Sequence, residues 1–173
     1  MGSPTVASLF AQRVVVGVGD MGVSNNPSII LSTYALGSCV AIAAYDPISK
    51  AGGILHLMLP DSKISPQKAI AQPAMFADTG LPLLFRALLG VRGEHDRLRL
   101  FVAGGACIMC NSDMFKIGAR NLDATSAYLS KNGYHVWHSA AGGTINRTLH
   151  LELDTGKVTL KTPVGNENYS LAL

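Results

Sequence analysis

The chain of 173 residues is 48% hydrophobic and only 14% charged, with a mean hydropathy of +0.27. That composition excludes a disordered tail and describes a single domain that buries most of its apolar surface. Its 14 basic and 11 acidic residues leave a net charge of +3 with no basic stripe, so nothing points to nucleic acid.

Residues 1–12 read as a loose leader, without the basic start and apolar run of a secretory signal. Val14 to Val18 is a β-branched run that predicts a buried strand. Asp20 to Pro27, rich in Gly, Asn and Ser, reads as turn material, and Ile29 to Ser32 as a second short strand. Tyr34 to Cys39 leads into the apolar run Val40 to Tyr45. The whole stretch is about twelve residues against the roughly 20 that a membrane span needs, so no membrane insertion is expected. Asp46-Pro47-Ile48-Ser49 signals a turn, and Lys50 to Leu59 resumes as a strand. After a polar loop at 62–68, apolar residues between Pro73 and Leu89 recur at helical spacing, with Gly90 as the stop. Arg97 to Ala103 alternates as a strand running into Gly104-Gly105, and Ala119 to Asn132 is a second helix ended by Gly133. Tyr134 to Ser139 and Leu149 to Leu153 read as strands. Asp154 to Lys157 makes a hairpin turn before Val158 to Thr162. Many short strands with two or three helices predict an α/β sandwich of mixed or antiparallel sheets, with the domain over 13–165 and a C-terminal tail over 166–173.

Cys39 and His56 are the residues that carry chemistry. If the loop between their strands is the four residues Asp46 to Ser49, Tyr45 sits opposite Lys50 and antiparallel partners have numbers adding to 95. Cys39 and His56 then face each other directly. A neighbouring imidazole takes the thiol proton and yields the thiolate that nucleophilic attack needs. Gly37 and Ser38 precede the cysteine at the mouth of a strand, where a tight turn aligns backbone N–H groups for an oxyanion. Against this stands the tendency of free cysteine to be buried as a small apolar residue, and of a lone histidine on an apolar strand to be structural.

Other motifs are weaker. Three cysteines do not make a disulfide framework, and free thiols are expected. Cys107-Ile108-Met109-Cys110 is a single C-x-x-C without the second pair of a zinc site, and it does not open a thioredoxin-like helix. His135 and His138 have opposite strand parity and are expected on different faces, so no metal site is assigned. Gly17-Val18-Gly19 lacks the third glycine of a dinucleotide fingerprint.

An ordered series of blocks resembles the chemoreceptor glutamine deamidase family, CheD. These are Thr33 to Val40, Gly53 to Pro60, Met75 to Asp78, Gly104 to Ala106, Ile117 to Asn121, and Gly142-Gly143 with Arg147 and Asp154 to Lys157. The resemblance spans about residues 14–162. It implies an α/β sandwich similar to that of toxin deamidases, and a protein-glutamine glutaminase that converts receptor glutamines to glutamates. By motif match it makes Cys39 the nucleophile, His56 the general base and Thr33 the third catalytic residue, with no metal or organic cofactor. It implies chemotaxis receptors as substrate and, in some members, a CheC-type phosphatase as partner, while the cysteine count and the lack of a span or secretory signal lead to the expectation of a cytoplasmic protein. Two positions depart from the family pattern: Cys110 stands where a phenylalanine is usual, and Asn146 where a small residue precedes the late arginine. Two rival functions share these residues: a non-catalytic adaptor for the phosphatase, and a transglutaminase in which an amine replaces water.

Overall fold

The computed structural model describes residues 11–173, so all but the last two residues of the expected leader lie outside it. Among the described residues, ten strands form two five-stranded sheets. The first runs in the order β1 (Gln12–Val15), β3 (Ile29–Leu36), β8 (Arg147–Glu152), β9 (Lys157–Thr162), β10 (Gly165–Ser170). The second runs β2 (Asp20–Ser24), β5 (Gly52–Leu57), β4 (Val40–Tyr45), β6 (Arg99–Gly104), β7 (His135–Ala141). Both are mixed, since β1 with β3 and β6 with β7 are parallel while their other neighbours are antiparallel. The expected α/β sandwich is what the chain forms.

β4 is the centre of the molecule. All six residues of Val-Ala-Ile-Ala-Ala-Tyr are buried because both faces of the strand are covered. Ala41, Ala43 and Tyr45 pack toward the first sheet with Leu31, Leu149, Leu151 and Leu160. Val40, Ile42 and Ala44 pack on the helical layer, where α2 (Ala77–Gly90) supplies Leu81, Leu84 and Leu88 and α3 (Ile117–Lys131) supplies Leu129. A short α1 (Pro66–Ala71) occupies part of the expected polar loop. No helix among the described residues is long and apolar enough to cross a membrane.

Three departures from expectation have physical causes. Asp20–Ser24 is strand β2 rather than turn material: its turn-forming residues sit on an edge strand that needs only backbone pairing with β5, while Met21 and Val23 reach the helical core. Gly165–Ser170 is strand β10, beyond where sequence periodicity ends, because a polar edge strand is held by its ladder to β9 and by Tyr169 against Phe101 at a centroid separation of 4.8 Å. In β7, Trp137 is an extra residue between the pairs Leu100–Val136 and Phe101–His138. This bulge puts His135 opposite Arg99 and His138 opposite Phe101, residues of equal parity, so the two histidines share a side after all.

Candidate active site

The pairing of β4 with β5 aligns Ala41 with His56 and Val40 with Leu57, a register two residues away from the direct Cys39–His56 pairing expected. The cause is the loop. It spans six residues, not four: the Asp46 N–H donates to the Ala51 carbonyl at 2.8 Å, and the buried Asp46 carboxylate accepts from the N–H groups of Ile48 and Ser49 at 2.9 and 3.2 Å. Lys50 takes a left-handed φ of 56° to close it. Because side chains alternate with a period of two, a slip of two residues keeps both groups on the same face. Cys39, just before β4, becomes the diagonal neighbour of His56 on the side facing the first sheet.

From that sheet Thr33 reaches across. Its Oγ1 lies 2.7 Å from His56 Nδ1, and the same hydroxyl donates to the Val16 carbonyl at 2.7 Å. A hydroxyl has one proton, and this one is committed to Val16. The oxygen therefore accepts from His56 Nδ1–H, which fixes the imidazole tautomer and leaves Nε2 with its lone pair. Both residues are fully buried, and Nε2 has no hydrogen-bond partner among the described residues. Burial lowers the His56 pKa to about 4, so the ring is neutral at neutral pH. Burial also raises the Cys39 thiol, against the smaller opposing effect of its own backbone N–H. The resting pair is thus a neutral thiol beside a neutral imidazole, and no hydrogen bond joins them before substrate arrives.

The turn into Cys39 is built by β3. A register irregularity between Thr33 and Leu36, with Ala35 at φ 57°, redirects the chain away from the first sheet. The carbonyls that follow are all tied inward. Gly37 accepts from Ala106 N–H at 2.9 Å, Ser38 from Asn121 Nδ2 at 3.0 Å, and Cys39 from Gly105 N–H at 2.8 Å. Gly37 N–H, one of the expected oxyanion donors, is spent on the Ala35 carbonyl at 3.0 Å. The N–H groups of Ser38 and Cys39 donate to no other residue among those described, and they are the pair available to an oxyanion. Close backbone approach makes this arrangement possible. A Cβ at Gly104 (φ 97°) would overlap the Cys39 carbonyl, and one at Gly118 would lie 2.6 Å from the Ala106 carbonyl.

Beside Ser38 a cavity of about 310 Å³ is walled by Ala106, Ile108, Met109, Ser112, Asp113 and Ile117. Met109 is 72% exposed. Cys107 and Cys110 are joined as a disulfide across this loop, so the expectation of three free thiols holds only for Cys39. A larger cavity of about 460 Å³ lies between α3 and β7, away from these groups. Among the described residues no set of three His, Cys, Asp or Glu side chains converges on a metal position.

Sequence reading missed Asn121. It lies fully buried on α3, in the inward stripe Gly118, Asn121, Thr125, Leu129. An amide in the apolar stripe of a helix was the signal, because a buried polar side chain there needs partners from elsewhere in the fold.

Comparison with known proteins gives concordant matches. A family model described as CheD chemotactic sensory transduction matches residues 58–162. The probable chemoreceptor glutamine deamidase CheD 1 of Syntrophus aciditrophicus is 45% identical over 152 residues, 88% of this chain and 95% of that protein. The probable chemoreceptor glutamine deamidase CheD of Solibacter usitatus is 43% identical over 150 residues, 87% of this chain and 89% of its own. That of Pyrococcus abyssi is 39% identical over 160 residues, covering 91% and 96%. The family match begins downstream of Thr33, Cys39 and His56. A match covering 152 residues of a 173-residue chain extends across all three.

Proposed function

The chain belongs to the CheD family, and we propose that it is a protein-glutamine deamidase acting on chemoreceptors through a cysteine thioester. The observation that carries this reading is the unpartnered Nε2 of His56, held as a base by Thr33 on the face it shares with Cys39. His56 Nε2 takes the Cys39 proton as sulfur attacks the glutamine carboxamide carbon. The N–H groups of Ser38 and Cys39 hold the developing oxyanion. Imidazolium then returns the proton to the amide nitrogen, the C–N bond breaks, and ammonia leaves a thioester. Water deprotonated by His56 attacks that thioester, and sulfur departs with the proton, leaving glutamate. Every step uses groups of this chain and water.

The substrate is the cytoplasmic part of a receptor, which places the reaction in the cytoplasm. A CheC-type phosphatase fits as a regulator of this activity rather than as its only purpose, since a binding module needs no thiol and oriented base. The deciding experiment incubates the protein with receptor cytoplasmic fragments and reads glutamine-containing peptides by mass spectrometry. A gain of about one dalton on specific glutamines is expected. Phosphatase binding with no mass shift on any cognate receptor would leave the adaptor role, and amine incorporation in place of that shift would identify a transglutaminase.

Two further results are expected. The acid limb of kcat/KM lies near pH 4, where buried His56 titrates, instead of at the ordinary imidazole value. Thr33→Val removes the acceptor for Nδ1–H, and kcat falls about 10- to 100-fold, a usual cost of losing a partner that orients such a group. Thr33→Ser retains the hydroxyl and recovers most of the rate. A wild-type rate in Thr33→Val with a loss in Thr33→Ser would show that methyl packing, and not the hydroxyl, is what matters.

A further inference from the structure

We propose that Asn121 is a positioning residue for the Cys39–His56 pair, clamping together the two chain ends that carry nucleophile and base. Its Nδ2 donates to the Ser38 carbonyl at 3.0 Å and to the Met58 carbonyl at 2.9 Å. Ser38 directly precedes Cys39, and Met58 follows His56 by two residues. The last ladder pair between β4 and β5 is Val40 with Leu57. Beyond it the strands part: the β4 side turns back toward β3, and Met58 N–H goes to the Met75 carbonyl at 2.8 Å. Asn121 spans this opening at the place where the next pair would form, Cys39 against Met58. It replaces missing ladder bonds with two donors from one rigid amide.

The orientation of that amide is determined by its partners. Two carbonyl oxygens face it, so the NH₂ group and not Oδ1 must point at them. The side chain is fully buried on a helix whose Gly118 lies against the Gly105 and Ala106 backbone, so the clamp is anchored on the element that also orders the loop beside Ser38. Because Cys39 and His56 are diagonal and unbonded at rest, no bond of their own sets their separation. A misplacement of about 1 Å costs a reaction of this type about 100-fold.

The inference rests on Cys39 and His56 being nucleophile and base, and its test reads them without any receptor. The second-order rate of Cys39 alkylation by iodoacetamide is measured from pH 5 to 9 by peptide mass mapping on wild type, Asn121→Ala, Asn121→Asp and Thr125→Val. Thr125 is buried one turn further along the same helix and makes no hydrogen bond through Oγ1, so it controls for simple core damage. Asn121→Ala is expected to alkylate about 10- to 100-fold more slowly at pH 7. Its rate climbs with pH like an unassisted thiol, where wild type levels off. Asn121→Asp keeps the size and turns one donor into an acid. It is least impaired relative to wild type at pH 5, where the protonated acid still donates, and most impaired at pH 8, where a carboxylate faces two carbonyls. Thr125→Val keeps the wild-type profile even where its melting temperature falls. With receptor fragments, kcat follows alkylation while KM stays within about twofold. Wild-type alkylation in a folded Asn121→Ala or Asn121→Asp protein overturns the proposal, as does an equal loss in Thr125→Val. If wild type deamidates no receptor yet the alkylation series behaves as described, the clamp stands and the deamidase reading alone fails.

Discussion

Cys39→Ala and His56→Ala each reduce deamidation about a thousandfold or more, and the double variant is no slower than either alone. Non-additivity follows from the geometry. Among the described residues His56 Nε2 has no hydrogen-bond partner, and the thiol is held un-ionised by its burial, so neither group accomplishes the first step without the other. Removing sulfur leaves a base with nothing to activate. Removing the imidazole leaves a thiol whose pKa is already raised and which has no base to take its proton. The measurement is single-turnover deamidation of receptor fragments by mass spectrometry, with circular dichroism confirming that each variant is folded. Iodoacetamide blocks the wild type through Cys39, since Cys107 and Cys110 are paired with each other. Substantial activity in folded Cys39→Ala would remove the thioester route altogether.

Asp46→Ala destabilises the fold by about 1–3 kcal/mol at neutral pH, the range for leaving buried hydrogen-bond donors without their acceptor. Asp46 is fully buried, and Arg97 Nε and Nη2 approach its Oδ2 at 2.9 and 2.8 Å. Glu94, Ile48 and Ser49 add backbone N–H donors. Burial opposes ionisation, but the guanidinium and the three N–H groups outweigh it and hold the carboxyl at about 2. A folded-state value below the unfolded one near 4 means stabilisation that is complete above about pH 4 and lost as the pH falls through 2, worth about 2 kcal/mol. Urea unfolding at pH 7 and pH 2 therefore separates wild type from Asp46→Ala by a gap that shrinks by about that amount in acid. An unchanged gap would mean that the side chain acts by packing and turn geometry alone.

The same aspartate explains why the sequence placed Cys39 and His56 on one face but misjudged their register. Alternation along Val40–Tyr45 and Gly52–Leu57 is a local property, so the common face of Cys39 and His56 was legible, and a slip of two residues could not disturb it. Loop length was not legible, because it depends on Asp46 folding back onto Ile48 and Ser49 while paired to Arg97, 51 residues away. Helix α2 announced itself through apolar spacing and α3 through the Gly133 that ends it. β2 and β10 did not, since edge strands are held by backbone ladders that carry no side-chain signature. The roles of Thr33 and Gly37 divide in the same way. A threonine and a glycine near a cysteine are visible in the chain, but only the folded backbone decides that Val16 takes the hydroxyl proton, leaving Thr33 an acceptor, and that Ala35 takes the Gly37 N–H. Composition, periodicity and residue order by themselves determined the architecture and the common face of Cys39 and His56. The tautomer of His56, the free N–H pair at Ser38 and Cys39 and the bridging amide of Asn121 were decided by the tertiary structure, because each depends on how hydrogen bonds are shared among segments far apart in the chain.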